Sequence, residues 1–511
     1  MLFTSYSFIA FLIILLVVYY LIPQRFRWML LLLGSGVFYA FSGWNNFVYI
    51  GVTILTVWIT AMQVDALEKK RKAYVKEHKS EITPEEKKVL KKKTKSAQII
   101  WMSACMVINF GILAVFKVLN FTNGILLPLG ISFYTFTIIG YLIDVYRGVC
   151  EPQKNIARLA LYTSFFPQLI QGPINRYNDM QDTLFAGRDF DGRRLAFSAE
   201  RILWGFFKKL VVADRILPAV KAIIGDSATF GGVYVFIGLV FYATQLYADF
   251  TGGIDITIGI ANAFGIDMKE NFIRPFFSKN LAEYWRRWHI SLGKWFTDYV
   301  FYPISVSGPV LKLSRFSRKC FGDYIGKRMP VYLSSLAVWF LTGIWHGIGW
   351  NFIVWGLANG LIIIISQELE PLYKKFHARF DVAGKKPYII FQILRTLFIT
   401  SALRMLDLYR DVPKTFSMLG SMVTAPQFGR LFDGSFAGLG LSAYDYAVII
   451  AGVLIMLAVS LLSRDRDIRE KIEEKGFAAT GIVIAVLLVA VIVFGAYGIG
   501  YDSSQFIYNQ F

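Results

Sequence analysis

The chain is short of charge, cysteine and histidine, and each shortage narrows its class. Only 17% of its 511 residues are charged, whereas a soluble globular domain carries about a quarter. Hydrophobic residues make up 55%, and 45 Phe, 27 Tyr and 12 Trp are more aromatics than one soluble core would bury. They suit lipid faces and interfacial belts, so an ordinary soluble protein is excluded and a polytopic membrane protein is expected. Cys105, Cys150 and Cys320 show no paired spacing, which supports neither a disulfide framework nor a zinc site. The sequence offers no metal-ligand cluster and no serine nucleophile elbow. It also lacks a repeating period and an inverted pair of broken helices of the transporter kind. The net charge of +19 is not a nucleic-acid signature. The basic residues sit in loops between apolar spans, the pattern of positive-inside topology.

What is present reads as a series of membrane helices. Leu2 to Ile22 is long enough for a bilayer core and too poor in basic residues before its apolar run for a cleaved signal peptide. Arg25 and Arg27 after it mark that end as cytoplasmic. Trp28 to Phe41, with Gly34 and Gly36, is expected to be tilted or closely packed, and Trp44 to Met62 to cross. Residues 67–96 form the one long polar stretch, with twelve Lys/Arg against five Glu. It reads as a basic helical hairpin in the cytoplasm that touches anionic lipid, with a helix start at Thr83-Pro84-Glu85-Glu86. Further spans are expected at 97–118, 126–145 and 233–247, and at 331–343, 351–365, 389–405, 444–462 and 478–496. Pro309 to Arg328 reads as a basic loop. In the run 157–174, Pro167, Gly172 and Pro173 interrupt the apolar pattern. Broken backbone at membrane depth is tolerated only where protein buries it or it lines a cavity, so a re-entrant segment with Gln168 and Gln171 as polar lining is expected. Residues 197–212 read as partly interfacial. The pattern gives about 11 to 13 membrane segments, some not fully crossing, in a single all-α membrane domain over residues 1–511.

Histidine is scarce enough to examine residue by residue. His78 and His377 lie among Lys and Arg, where a histidine is simply solvated. His346 lies in TGIWHGIGW with apolar runs on both sides. An ionisable group at membrane depth is costly and marks a functional site by default; the plain alternative is a histidine packed against a carbonyl between helices. Gly343, Gly347 and Gly349 either let backbones approach closely or leave room for a substrate. His289 lies in the other unusual stretch, Asn271 to Ser305. There Trp285, Trp288, Leu292, Trp295, Phe296 and Tyr299 recur at helical steps, so one amphipathic helix is expected over 281–300. Its aromatic flank carries His289, and Arg286, Arg287 and Lys294 lean to the other side. Such a helix presents cations to an anionic ligand, or anchors the chain to lipid phosphate. Upstream, YADFTGGIDITIGIANAFG places Asp249 and Asp255 at the edge of apolar spans, as helix caps or with a direct role.

YADFTGGIDITIGIANAFG, ENFIRPFFSKNLAEYWRRWHISLGKWFTDYVFYPI and TGIWHGIGWNFIVWG together resemble the membrane-bound O-acyltransferase family, in its bacterial alginate O-acetylation branch. Teichoic acid D-alanyl transfer proteins look more distantly similar. The likeness runs from the opening LFTSYSFIAFL to the closing FIYNQF; the basic hairpin has no clear counterpart in the family core. The resemblance implies helices that ring a tunnel or funnel through a bacterial cytoplasmic membrane. There an acyl group passes from a cytoplasmic thioester to a hydroxyl of an exported polysaccharide or cell-wall polymer. It implies acetyl-CoA or an acyl-carrier thioester as donor, no permanently bound cofactor, no metal and no nucleic acid. An extracytoplasmic acyltransferase or esterase-like protein is the implied partner. His346 matches the family's catalytic histidine and His289 the second histidine of this branch. Arg286, Arg287, Trp288, Trp285, Trp345, Asn351 and Asp249 are the candidate donor- and substrate-binding residues.

The chemistry suits these residues. An alcohol that attacks a thioester must lose a proton, and an imidazole of pKa about 6.5 can take it. Burial favours the neutral form. His346 is expected as general base or transient acyl acceptor, with His289, Arg286 and Arg287 orienting the donor or its phosphates. Two other classes remain open: a polysaccharide or lipid transporter, which would not consume thioester, and a non-catalytic scaffold for an extracellular transferase, which would tolerate loss of His346.

Overall fold

The computed structural model describes residues 3–497; the first two residues and the closing FIYNQF lie outside the described residues. The described chain is mostly helical. Its only β feature among those residues is an isolated bridge between Phe272 and Trp288. Seven of its helices are long and apolar enough to cross a membrane, as expected of a multi-pass protein. Several other expected segments are shorter or broken, such as Tyr6–Leu21, Gln24–Ala40 and Ile131–Arg147. The chain divides into two compact units. One comprises Met1–Arg194 with Ile260–Lys269, the other Leu195–Gly259 with Glu270–Phe511.

In the first unit the basic stretch is the continuation of two spans. Asn46–Glu77 has 32 residues and Pro84–Asn123 has 40, and both run from apolar sequence into the lysine-rich segment. The second starts where its residues dictate. Thr83 Oγ1 accepts from the Glu86 amide at 3.2 Å, the Glu86 carboxylate accepts from the Thr83 amide at 2.8 Å, and Pro84 opens the first turn. That reciprocal cap satisfies two orphan donors. Within the apolar part the helices are joined by amides: Gln98 Nε2 donates to the Val64 carbonyl at 2.9 Å, and Asn109 Nδ2 to Thr56 Oγ1 at 3.1 Å. Such bonds replace the hydrophobic drive that lipid removes.

The proline-interrupted run is two short helices, Ile156–Ser164 and Phe166–Gln171, separated at Phe165. Gln168 and Gln171 are buried. Gln168 Nε2 donates to the Tyr162 carbonyl at 2.6 Å, and Ser35 Oγ accepts from the Phe166 amide at 3.2 Å. The glutamine thus serves the backbone group that the break exposes.

In the second unit, Gly192–Phe206 continues through a π-turn, Phe207–Ala213, into Asp214–Gly225. This run packs against the 31-residue helix Val233–Ala263. Asp249 and Asp255 sit inside that helix, so neither is a cap. Asp249 pairs with Lys209 at 2.6 Å, and Lys209 also reaches Asp214 at 2.7 Å. Asp255 is held by Lys208 at 2.5 Å and Arg201 at 2.9 Å. Buried charge is tolerated where each member has a partner.

The expected basic loop 309–328 is instead helical, part of Gly308–His346, which is interrupted at Gly322 (φ +81°). Its last turns pack on Trp350–Glu368 at backbone distance. A Cβ on Gly343 would lie 2.5 Å from the Phe352 carbonyl oxygen, and one on Gly356 2.3 Å from that of Trp339. Close approach, one of the two readings of Gly343, is what the chain uses. Lys386–Tyr409, Ala443–Leu462 and Phe477–Phe494 complete this unit's apolar helices.

Candidate active site

The expected single helix over 281–300 is broken at its centre. Asn280 Oδ1 accepts from the Glu283 amide at 2.8 Å and starts Leu281–Arg287. Trp288 then turns extended and forms the bridge with Phe272. The Ile273 amide donates to the Arg287 carbonyl and the Ile290 amide to the Asn271 carbonyl, both at 3.0 Å. His289 adopts left-handed backbone angles, φ +50° and ψ +52°, before Ile290–Phe296 resumes the helix. A non-glycine residue there costs roughly 1–3 kcal/mol and persists only where its surroundings enforce it. Asn271 supplies the enforcement. Its Oδ1 accepts from Ser291 N and Ser291 Oγ, each at 2.9 Å, and its side chain meets His289 Nδ1 at about 3.3 Å. The break turns His289 out of the helical register and into a cavity. Burial, and secondarily the Arg404 charge, pull its pKa down to about 3, so the ring is neutral at physiological pH.

His346 reaches the same cavity from the end of Gly308–His346. It is half-buried between aromatic rings, with centroids at 4.7 Å for Trp345 and 4.9 Å for Trp355. The buried Trp345 also lies 6.0 Å from the His289 ring, so one indole contacts both imidazoles. The cavity has a volume of about 550 Å³, within the range of small-molecule sites. Trp285, Arg286 and Trp288 line it too. Trp285 is fixed by its indole N–H, which donates to Asn359 Oδ1 at 3.0 Å, and Trp288 stacks on Tyr284 at 5.5 Å.

The remaining candidates stand behind this wall. Arg287 pairs with Glu283 at 2.6 Å. Asn351 Nδ2 donates to the Leu406 carbonyl at 3.2 Å, which ties the turn after His346 to the helix Lys386–Tyr409. Asp249 is fully buried in its pairing with Lys209. None of the three, and not Trp345, lines the cavity.

The structure adds two ionisable residues to the cavity wall. Arg404 is buried, its guanidinium 5.0, 5.3 and 5.4 Å from the ring centroids of Trp288, Trp355 and Trp285. Asp407, one turn on, accepts from Tyr242 Oη at 2.9 Å. Both lie inside an apolar span, so the criterion that singled out His346 would have found them in SALRMLDLY.

Comparison with known proteins supplies the chemistry for this arrangement. The membrane-bound O-acyltransferase family profile matches residues 153–316, which include the Asn271–Ser305 stretch. The chain is 33% identical over 394 residues to "Probable alginate O-acetylase AlgI" of Azotobacter vinelandii, covering 72% of this chain and 69% of that one. It is 28% identical over 318 residues to the peptidoglycan O-acetyltransferase of Helicobacter pylori (54% of this chain, 57% of the relative). With the teichoic acid D-alanyltransferase of Streptococcus thermophilus the identity is 30% over 278 residues (53% and 64%). The first of these likenesses covers about three-quarters of the chain rather than nearly all of it. Two histidines in one cavity within a multi-pass helical protein, taken with this degree of identity, place the chain in the membrane-bound O-acyltransferase family, as an acyltransferase.

Proposed function

We propose that the enzyme moves an acetyl group from a cytoplasmic thioester, acetyl-CoA or an acyl-carrier protein, to a hydroxyl of an exported polysaccharide or cell-wall polymer. Transfer is direct or passes through an extracytoplasmic acyltransferase-like partner, and the protein resides in a bacterial cytoplasmic membrane. The observation that carries this reading is the shared cavity of His289 and His346; the printed activities of the relatives favour a polymer acceptor.

In the scheme, the acceptor oxygen bonds to the thioester carbonyl carbon as His346 takes its proton. The adduct collapses, the C–S bond breaks, and the imidazolium returns the proton to the leaving thiolate. General-base assistance of this kind contributes roughly 10²- to 10⁴-fold. His289, neutral and oriented by Asn271, hydrogen-bonds the donor. Arg286 and Arg404, the guanidinium groups on the cavity wall, face the donor's phosphates or the oxyanion that develops on the carbonyl. Arg287 and Asp249 are engaged by Glu283 and Lys209 and support the scaffold. Trp345 and Asn351 fix the turn that carries His346.

The test is purified protein in lipid with labelled acetyl-CoA, comparing wild type with His346→Ala and His289→Ala. His346→Ala is expected to slow label release by about 100-fold or more. Equal release in all three overturns the catalytic assignment, and no release in any favours a transport or scaffold role.

A further inference from the structure

A second cavity, of about 530 Å³, lies in the same unit, and neither histidine lines it. Its apolar wall comes from Met456 and Val459 on Ala443–Leu462 and from Val483 and Leu487 on Phe477–Phe494. Almost none of the latter helix is buried in protein, Thr480 alone among its residues. The polar end is formed by Arg274 and by the charged segment 463–476 that joins the two spans. Charged residues at the ends of two apolar helices lie at headgroup level.

The charges at that end are equal in number but unequally paired. Arg201 is matched by Asp255 and Glu270, Lys208 by Asp255, and Arg469 by Asp467. Glu470 is matched by Arg466, and burial pushes the Glu200 carboxyl up to about 7. Arg274 and Arg464 are left over. Among the described residues no carboxylate lies within ion-pair distance of Arg274. Its guanidinium rests 4.6 Å from the Phe277 ring centroid, and its buried Nε has no hydrogen-bond partner. Arg464 meets only Asp465, at 3.9 Å and with both side chains mostly exposed, a contact of little energy. Burial lowers the Arg274 pKa, the Arg287 and Arg464 charges add to this and Asp465 opposes it, because nearby like charge disfavours the charged form. Arg274 also holds a left-handed backbone, φ +47°, a strain that persists where the surrounding structure enforces it.

We propose that this cavity binds one anionic phospholipid, with its phosphate between Arg274 and Arg464 and an acyl chain along Met456, Val459, Val483 and Leu487. A free phosphate would satisfy the two cations but leave the apolar half empty. A zwitterionic lipid would fill that half but bring its own cation beside the phosphate, so it would compensate the two arginines less well than a lipid of net negative charge. The site is separate from the acyl-transfer cavity, so it can fail without the enzymatic assignment failing.

Native mass spectrometry of the purified full chain, titrated with phosphatidylglycerol or phosphatidylcholine, tests it. Wild type is expected to retain one phosphatidylglycerol with about tenfold preference over phosphatidylcholine, and Arg274→Gln/Arg464→Gln to lose that preference. Met456→Trp, which fills the apolar end and leaves both cations in place, is expected to expel the lipid, and a thermal melt of each variant reports its folding. Retention of phosphatidylglycerol by the double variant overturns the proposal. So does displacement of the lipid by millimolar inorganic phosphate, which would make this a phosphate site.

Discussion

The ring of Trp355 meets that of His346 edge to face, centroids 4.9 Å apart at 78°, while the Arg404 guanidinium lies 5.3 Å from the same indole. One tryptophan therefore couples the proposed base to a permanently charged side chain. It does so inside a cavity where aromatic faces take the place of water around the cation.

Arg404→Lys keeps the charge but loses the planar group that lies against three indoles. Contacts of this kind are worth about 1–2 kcal/mol when desolvated, so kcat/KM for acyl transfer is expected to fall roughly tenfold with the melting temperature little changed. A lysine variant of wild-type activity would show that the cation's shape is immaterial.

His289, whose pKa burial lowers to about 3, is neutral on both sides of the active range. Loss of activity on acidification between pH 5 and 7 therefore does not arise from its protonation. His289→Gln is expected to shift the level of the pH–rate profile but not the position of its acid limb. A limb that moves with this substitution would assign the titration to His289.

Gly343 and Gly356 are the places where two helices touch backbone to backbone. Gly343→Val is expected to cost about 1–3 kcal/mol by overpacking, read as a lower melting temperature together with reduced transfer as His346 shifts. Gly36, in the helix Gln24–Ala40, has nothing within 4 Å of an added Cβ, and Gly36→Ala serves as the near-neutral control.

Glu200 is buried, and its carboxyl is pushed from 4.5 up to about 7 by burial, offset in part by Arg469 and reinforced by Asp467 and Glu473. The folded state holds this proton to a higher pH than the unfolded one. Stability therefore falls as pH rises between about 4.5 and 7, by roughly 1–3 kcal/mol from this group. Glu200→Gln should flatten that part of the melting-temperature profile and raise it at pH 8. An unchanged slope would place the titration elsewhere.

Much of this was legible in order of sequence, because hydropathy reports long apolar runs directly. The spans around 46–62, 97–118 and 444–462 and the helix start at Thr83 follow from local residues. What escaped depended on partners distant in sequence. Asp249 and Asp255 read as caps or as residues with a direct role, because Lys209, Lys208 and Arg201 approach only after folding. The break at His289 was invisible because Trp285 and Trp288 keep helical spacing up to the residue where the helix ends. No glycine marks the left-handed turn; Asn271, eighteen residues earlier, enforces it. Arg404 and Asp407 were passed over because a span's average hydropathy conceals two charges.

The paired helices that carry the basic stretch have a last consequence. Residues 65–77 and 84–96 continue the spans as helix, and thirteen residues at 1.5 Å each form a stiff post about 20 Å tall. Lys79, in the turn that joins the two helices, stands more than two screening lengths from the foot of the post, given about 8 Å at physiological salt. Charge at that tip is therefore electrically separate from charge at the foot of the post.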